Sequence, residues 1–575
     1  MNGVPLSTKT LTGGELVVET LAALGVEAVF GVPGGQTLAI TDAILDRSDM
    51  RFVTARHEGA AACMADAVGR MTGRPGVCIA TTGPGATNLL TGVGGAFRDS
   101  SPVLVLTCNN RLPDLGRDDA QNADHVAIFQ SLVKWAKLVS HPNTIVQIVQ
   151  EAFLKATTGN PGPVLIDFAR DVIEAELDPS MLDAVAPTAA MTALERERSA
   201  GDPARVRLAA EQLAAAERPV IWLGNGAKLS GAGEAALQLA EQLDAPVITT
   251  FNGMGVVPTT HPNVYGALTR MGTELSSRAL AGADLLLAVG NSMNAISTGR
   301  WSMQLPERIL QVDVDAFTVG RYYGPRTTSV LGDARAVLEQ LTAATTGAPG
   351  DAAAKRKARL AELAAARADW LERTATTATA QPNTVGPDAI MRVVREAVPD
   401  ETVAVFDAGN PGVWSYLWPI RAVDTYLKPV GFGNMGFAVP AAVGASTVAP
   451  ETPIVAFVGD GSLGMSLGEL ETLAREQTNA VIVVMNDSGY GNIRQEQVVH
   501  YGDTRTIGVD FGDVDYAAVA RACGVDAVRV TDEQALADAV RAAIAKPGPY
   551  VVEVVQDPEI NAWTYPLFKS YELED

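Results

Sequence analysis

Histidine and cysteine are scarce: the 575 residues hold five of the first and four of the second. The cysteines, Cys63, Cys78, Cys108 and Cys523, show no C-x-x-C spacing and sit in apolar or Ala-rich runs. That excludes a disulfide framework or a thiolate metal site and predicts buried free thiols in a reducing cytosol. The histidines are scattered without metal-ligand spacing. No stretch of about 18 apolar residues runs without a charge, so no membrane span is expected. The opening "MNGVPLSTKTLTGGELVVETLAALG" lacks the basic region and long apolar core of a secretory signal. Positive charge is also short, with 44 basic against 66 acidic residues and a net charge of −22. Such a chain is not expected to bind nucleic acid or an anionic membrane, and an anionic ligand would need local dipoles or a metal to hold it. The expected location is cytoplasmic.

What is abundant is ordinary globular material, 47% apolar and 19% charged. At the usual ~100–200 residues per domain the length predicts about three domains. Short β-branched runs bounded by Gly and Pro, such as "PGVCIATTG", "SPVLVLT", "RPVIWLG" and "PIVAFVGDG", alternate with Ala- and Leu-rich amphipathic segments. This alternation predicts an α/β fold of doubly wound domains with parallel sheets.

The two ends of the chain show a weak duplication. Near the start, a helix of small residues ("EGAAACMADAVGRMTG") precedes a strand, a "GPG" turn at Gly83 to Gly85, a helix and "PVLVL". Near the end, "MGFAVPAAVGAS" precedes a strand, a "GDG" turn at Gly459 to Gly461, a helix and "AVIVV". The reading is therefore two related modules, 1–185 and 385–575, around an unrelated central domain at 190–345. The Ala-rich, charged segment 346–384 reads as a surface helix and linker.

In open parallel sheets, ligands bind beyond the carboxyl ends of the strands. Asp460 and Asp487 both stand there, at the ends of two successive apolar runs in "GDGSLGMSLGELETLAREQTNAVIVVMND". Glycines beside Asp460 let backbone amides approach a phosphate, and the helix after the turn directs its N-terminus toward the same place. Two carboxylates and a carbonyl from the following "SGYG" suit Mg²⁺, which commonly shares its shell with phosphates. The stretch therefore reads as a clamp for a metal diphosphate.

The same stretch resembles the thiamin diphosphate motif. The resemblance extends over nearly the whole chain through "VFGVPGGQTL", "RHEGAA", "GRPGVCIATTGPGATNLLTGV" and "GFGNMGFAVPAAVGA". It is closest to the acetolactate synthase and 2-oxo acid decarboxylase group. It implies pyrimidine-binding, central and diphosphate-binding domains, with the metal ligated by Asp460, Asp487 and the carbonyl of Gly489. Asp487 stands where the family usually has asparagine. Gly409, Asn410, Gly461, Ser462 and Tyr490 would help hold the diphosphate. Gly433 would offer its carbonyl to the cofactor's exocyclic amine, and Met435 would prop the cofactor in a bent shape. Glu58 would hydrogen-bond a ring nitrogen and so make that amine a base, while His57 beside it either tunes Glu58 or only bonds at the helix start. A homodimer or dimer of dimers is implied, because in the family these groups come from different subunits.

The resemblance also implies decarboxylation of a 2-oxo acid, followed by protonation of the enamine or its addition to a carbonyl acceptor. Gln121 and Lys134 match polar residues of the acetolactate synthase substrate pocket, and Gly35 and Gln36 would face the same space. For Lys134 a solvated helix charge is an equal reading. Two departures tell against acetolactate synthase itself. "DLLLAVGNSMNAIS" lacks the R-F-D-D-R run that grips FAD, so FAD is not expected. Glu496 replaces a tryptophan that packs against the second 2-oxo acid. Glu496 and Arg494 read either as surface charges or as the site of a polar, cationic substrate tail, as in guanidino-2-oxo acid decarboxylases. A silent cofactor-binding regulatory subunit is a further reading. So is a nicotinamide or flavin oxidoreductase, from the turn in "VIWLGNGAKLSGAG". The aromatic tail "INAWTYPLFKSYELED" is expected to act as a lid or to dock on the surface.

Overall fold

The computed structural model describes residues 10–187, 198–269, 271–345, 350–375 and 378–570. Each of the three expected sheets is present with six strands, all parallel. Their central strands, such as Gly76–Ala80 and Val103–Asn109, are buried along their whole length. That burial explains why they read as continuous apolar runs: helices cover both faces, leaving no face for an alternating polar set.

The first sheet runs Arg51–Thr54, Ala28–Gly31, Gly76–Ala80, Val103–Asn109, Val164–Ala169, Trp135–Val139. The last runs Tyr426–Leu427, Val403–Phe406, Ile454–Gly459, Ala480–Asn486, Tyr550–Val555, Asp526–Val530. Numbered within each sheet, both have the order 2-1-3-4-6-5. In both, the Gly-x-Gly turn follows the third strand, so the duplication visible in the sequence is a duplication of topology. The order reverses between the first and third strands, which opens a crevice at their carboxyl ends.

The central sheet, Val264–Ala267, Val247–Thr249, Pro219–Leu223, Leu285–Val289, Arg308–Asp313, Thr327–Leu331, has the order 3-2-1-4-5-6 of dinucleotide-binding folds. The helix Gly350–Ala375 belongs with it physically. The buried Arg356 guanidinium donates to the carbonyls of Leu213, Ala214, Ala216 and Leu243, at the C-terminal ends of two helices of this domain. A cation there meets orphaned carbonyls and the negative end of each dipole.

By compactness the chain divides into residues 1–197 with 443–448, which hold the first sheet, and 198–442 with 449–575, which hold the other two. The C-terminal tail docks within the second unit. Phe568–Ser570 pairs antiparallel with Met271–Thr273. Tyr565 donates to Asp388 Oδ2 at 2.7 Å and packs edge-on against buried Trp414. Residues 571–575 lie outside the described residues. Cys63, Cys78 and Cys108 are buried and outside any disulfide, as expected, whereas Cys523 is only half-buried. Among the described residues no helix is long and apolar enough to cross a membrane.

Candidate functional site

Asp460 and Asp487 follow neighbouring strands of the last sheet, which are paired through Gly459 and Met485. Both carboxylates are buried, with 2% and 8% of the residue exposed. Gly489 donates its N–H to Asp460 Oδ2 at 2.9 Å, which closes the turn after Asp487 onto the other strand end. Asn410, which opens the short helix Asn410–Trp414 after the strand Val403–Phe406, completes the cluster. Two buried atoms here, Asp487 Oδ2 and Asn410 Nδ2, make no hydrogen bond of good geometry, although the amide lies near enough to help hold the carboxyl down. They converge on Gly491, where a β-carbon would sit 1.8 Å from the first and 2.8 Å from the second.

The electrostatics match. Burial, reinforced by the charge of Asp487, pushes Asp460 up to about 7. Burial also raises Asp487 to about 6, opposed by nearby Arg494. Two carboxylates that resist ionising together fit a cation that would offset both charges. Among the described residues no group of three or more His, Cys, Asp or Glu is placed to hold a metal. A cation would therefore rest on two carboxylates plus backbone and ligand oxygens, a donor set that Mg²⁺ takes. The helix that Asp460 opens is only six residues, Asp460–Met465, so the turn offers its backbone N–H groups rather than a long helix dipole. Gly461 is required by packing: a β-carbon there would come within 2.7 Å of the Tyr490 ring.

One residue of this site escaped the sequence reading. Asp407 is fully buried and accepts N–H bonds from Ala408, Gly436 and Ala438 at 2.8, 3.1 and 2.8 Å. It thereby ties the loop of Gly409 and Asn410 to the "GNMGFA" segment that carries Gly433 and Met435. Burial outweighs those donors and raises it to about 6. The signal was present, since Asp407 opens the "DAGNPG" run. Gly433 is exposed with φ 67°, which favours glycine, and Met435 is half-buried.

Arg494, expected toward a substrate tail or as a surface charge, lies against the acidic pair: its guanidinium donates to the main-chain oxygen of Asp487 at 2.9 Å and lies 3.5 Å from Asp487 Oδ1. Glu496, two residues on, is half-buried on the same helix, Gly491–Tyr501.

In the first unit, Glu58 opens the helix Glu58–Thr72, and its Oε2 accepts from Asn88 Nδ2 at 2.9 Å. The "GPG" turn stands between Glu58 and Gln121: a β-carbon at Gly85 would meet Glu58 Oε1 at 3.3 Å, and one at Gly83 would meet the Gln121 carbonyl at 2.4 Å. Gln121 itself has φ 60° and an exposed side chain. Gln36 spans the first sheet's crevice, donating to Asn110 Oδ1 and accepting from Thr81 Oγ1. Gly35 is exposed, with open space where a side chain would be. His57 bonds at the helix start, its Nδ1 accepting the Gly59 N–H at 3.0 Å. Lys134 does not join this group: its ammonium donates to the carbonyls of Lys155 and Thr158 at the end of the helix Ile145–Thr157. Beneath the "GPG" turn lies a buried network that sequence reasoning missed, because its members are far apart in the chain. His125 joins Asp167 through Nδ1 and the Gly83 N–H through Nε2.

In the central domain, the Gly-rich turn after Pro219–Leu223 is explained by packing. A β-carbon at Gly224 would lie 2.1 Å from the Gly290 carbonyl, and one at Gly226 would lie 2.8 Å from Gly290 Cα.

Comparison with known proteins matches all three domains. Residues 11–128 match the thiamine pyrophosphate enzyme N-terminal TPP binding domain, 206–341 the central domain and 407–554 the C-terminal TPP binding domain. The chain is 33% identical over 562 residues to a probable acetolactate synthase large subunit of Methanocaldococcus jannaschii, covering 95% of this chain and 92% of the relative. It is 30% identical over 576 residues to the acetolactate synthase isozyme 1 large subunit of Escherichia coli K12, covering 98% and 97%. It is also 33% identical over 558 residues to a probable 2-ketoarginine decarboxylase of Pseudomonas aeruginosa, covering 95% and 94%.

Proposed function

Because the chain belongs to the thiamine pyrophosphate enzyme family, in its acetolactate synthase-like group, we propose that it decarboxylates a 2-oxo acid and then protonates the product carbanion or joins it to a carbonyl acceptor. The observation that carries this reading is the buried pair Asp460 and Asp487 at neighbouring strand ends, with Asp487 Oδ2 and Asn410 Nδ2 meeting at Gly491 without a hydrogen bond of good geometry. Asp460, Asp487 and the Gly489 carbonyl would hold Mg²⁺, and Gly409, Asn410, Gly461, Ser462 and Tyr490 the diphosphate. Gly433 and Met435 would receive the ring system, and Glu58 would hold a proton at a ring nitrogen. Bound there, thiamin diphosphate supplies the electron sink into which a 2-oxo acid loses carbon dioxide. The protein's part is to orient the cofactor, to keep water from the reacting centre and to set the protonation of its ring through Glu58. Gln121, Gly35 and Gln36 border the substrate side. FAD is not part of this reading, since the R-F-D-D-R run is missing. A homodimer or dimer of dimers is, with Glu58 of one protomer serving the cofactor held by its partner.

A second reading narrows the substrate. Half-buried Glu496, on the helix that leaves the metal turn, suits a 2-oxo acid with a cationic tail, and a relative named as a 2-ketoarginine decarboxylase supports it. The test is carbon dioxide release, with product analysis by mass spectrometry, from pyruvate, longer 2-oxo acids and guanidino-2-oxo acids, alone and in pairs, with thiamin diphosphate and Mg²⁺ supplied. Glu58→Gln is expected to lower turnover by about 10²–10⁴-fold. No release from any acid would favour the silent regulatory subunit.

A further inference from the structure

The second acidic residue of the metal turn carries a charge where its family usually has a neutral amide, and the structure supplies a counter-charge. Arg494 follows Asp487 by seven residues and stands in the first turn of the helix Gly491–Tyr501. Its Nη2 is 2.9 Å from the Asp487 main-chain oxygen and 3.5 Å from Oδ1, and its Nε is 3.6 Å from Asp510 Oδ1. The guanidinium also lies against Gly489, where a β-carbon would meet Nη2 at 2.6 Å. It therefore sits directly behind the turn expected to give the metal a carbonyl. The Arg494 side chain is 21% exposed and the Asp487 side chain 4%, so solvent screens the pair only in part.

We infer that Arg494 is a positioning residue that compensates the extra charge of Asp487, so that Asp460, Asp487 and Arg494 together present the single net negative charge of an Asp and Asn pair. Without the arginine, two buried carboxylates would face a diphosphate. A bare divalent cation would gain from that, but the anionic cofactor would be repelled. With the arginine and an asparagine at 487, the metal would lose attraction instead. The charge balance, rather than either residue alone, sets how metal and diphosphate share the site. Arg494 is thus coupled to Asp487, and a substrate carboxylate or cationic tail is not its partner.

This inference rests on the cofactor reading above, and one experiment separates the two. Calorimetry would measure thiamin diphosphate binding in saturating Mg²⁺, and Mn²⁺ resonance would measure metal binding to the cofactor-free protein. Both would be run on the wild type, Arg494→Gln, Arg494→Lys, Asp487→Asn and the double variant Asp487→Asn with Arg494→Gln. Expected for Arg494→Gln are cofactor binding about tenfold weaker and Mn²⁺ binding severalfold tighter. Asp487→Asn should weaken Mn²⁺, and the double variant should return both affinities to within about threefold of wild type. Arg494→Lys keeps the charge and should stay close to wild type. The inference is overturned if the double variant keeps the weakened cofactor binding of Arg494→Gln, or if Arg494→Lys behaves like Arg494→Gln, since shaping of the turn would then account for the residue. A wild type that takes up no cofactor would overturn the functional reading itself.

Discussion

His125 Nδ1 and Asp167 Oδ1 lie 2.8 Å apart in the core of the first unit, with both residues buried. Because His125 Nε2 accepts the Gly83 N–H at 3.1 Å, Nδ1 carries the proton and donates it to the carboxylate. Thr107 Oγ1 and Asn109 Nδ2 donate to the same carboxylate at 2.7 and 2.9 Å. The network fixes the "GPG" turn that touches Glu58 on one side and Gln121 on the other.

Replacing His125 by phenylalanine would leave a buried carboxylate and a backbone N–H short of a partner. We expect a loss of about 3 kcal/mol in urea unfolding. Turnover should fall as well in protein that remains folded, because the "GPG" turn loses its anchor. An unchanged unfolding midpoint would refute the anchoring role.

Asp407 predicts a pH dependence of stability. Its folded value is raised to about 6 from an ordinary 3.8, so the folded state holds its proton more tightly than the unfolded chain. The stabilisation is full at low pH and is lost as pH rises through about 6, to a total of about 3 kcal/mol. Unfolding of the cofactor-free protein between pH 4 and 7 should show a steeper fall in the wild type than in Asp407→Asn, which keeps the part owed to Asp460 and Asp487.

Asp460 should trade stability for binding. Its carboxylate, pushed up to about 7 by burial and by Asp487, is costly to ionise when no cation is present. Asp460→Asn keeps an oxygen for the Gly489 N–H. It should raise the melting temperature of the chelator-treated protein at pH 8, an effect on the order of 1–2 kcal/mol. The same variant should bind thiamin diphosphate with Mg²⁺ at least about 100-fold more weakly by calorimetry.

Lys134 should behave as a helix cap. Lys134→Met removes donors from the carbonyls of Lys155 and Thr158. A loss of about 0.5–1 kcal/mol in thermal unfolding is expected, with kcat/KM changed by less than about threefold. A hundredfold fall in kcat with unchanged stability would return the residue to the active site.

The strand, turn and helix units could be read from the chain because each is written over a few neighbouring residues. "PGVCIATTGPG" and "PIVAFVGDG" carry their apolar run and their turn glycines together. The same locality made Asp460 and Asp487 legible, since each stands at the end of its own strand. Asp407 shows where such reading stops: its three N–H donors come from Ala408 beside it and from Gly436 and Ala438 about thirty positions away.

Fold class, the internal duplication and the aspartate pair at neighbouring strand ends were determined by the sequence alone, because burial and turn chemistry act over a few residues and leave a periodic trace. Only the tertiary structure decided that Arg494 turns toward Asp487, that Lys134 caps a helix and that His125 meets Asp167 and Gly83. A charged or polar side chain on a half-exposed surface has several neighbours within reach. Its partner is selected by which strand ends and loops the packed sheets bring to the same place, and that choice leaves no mark in local spacing.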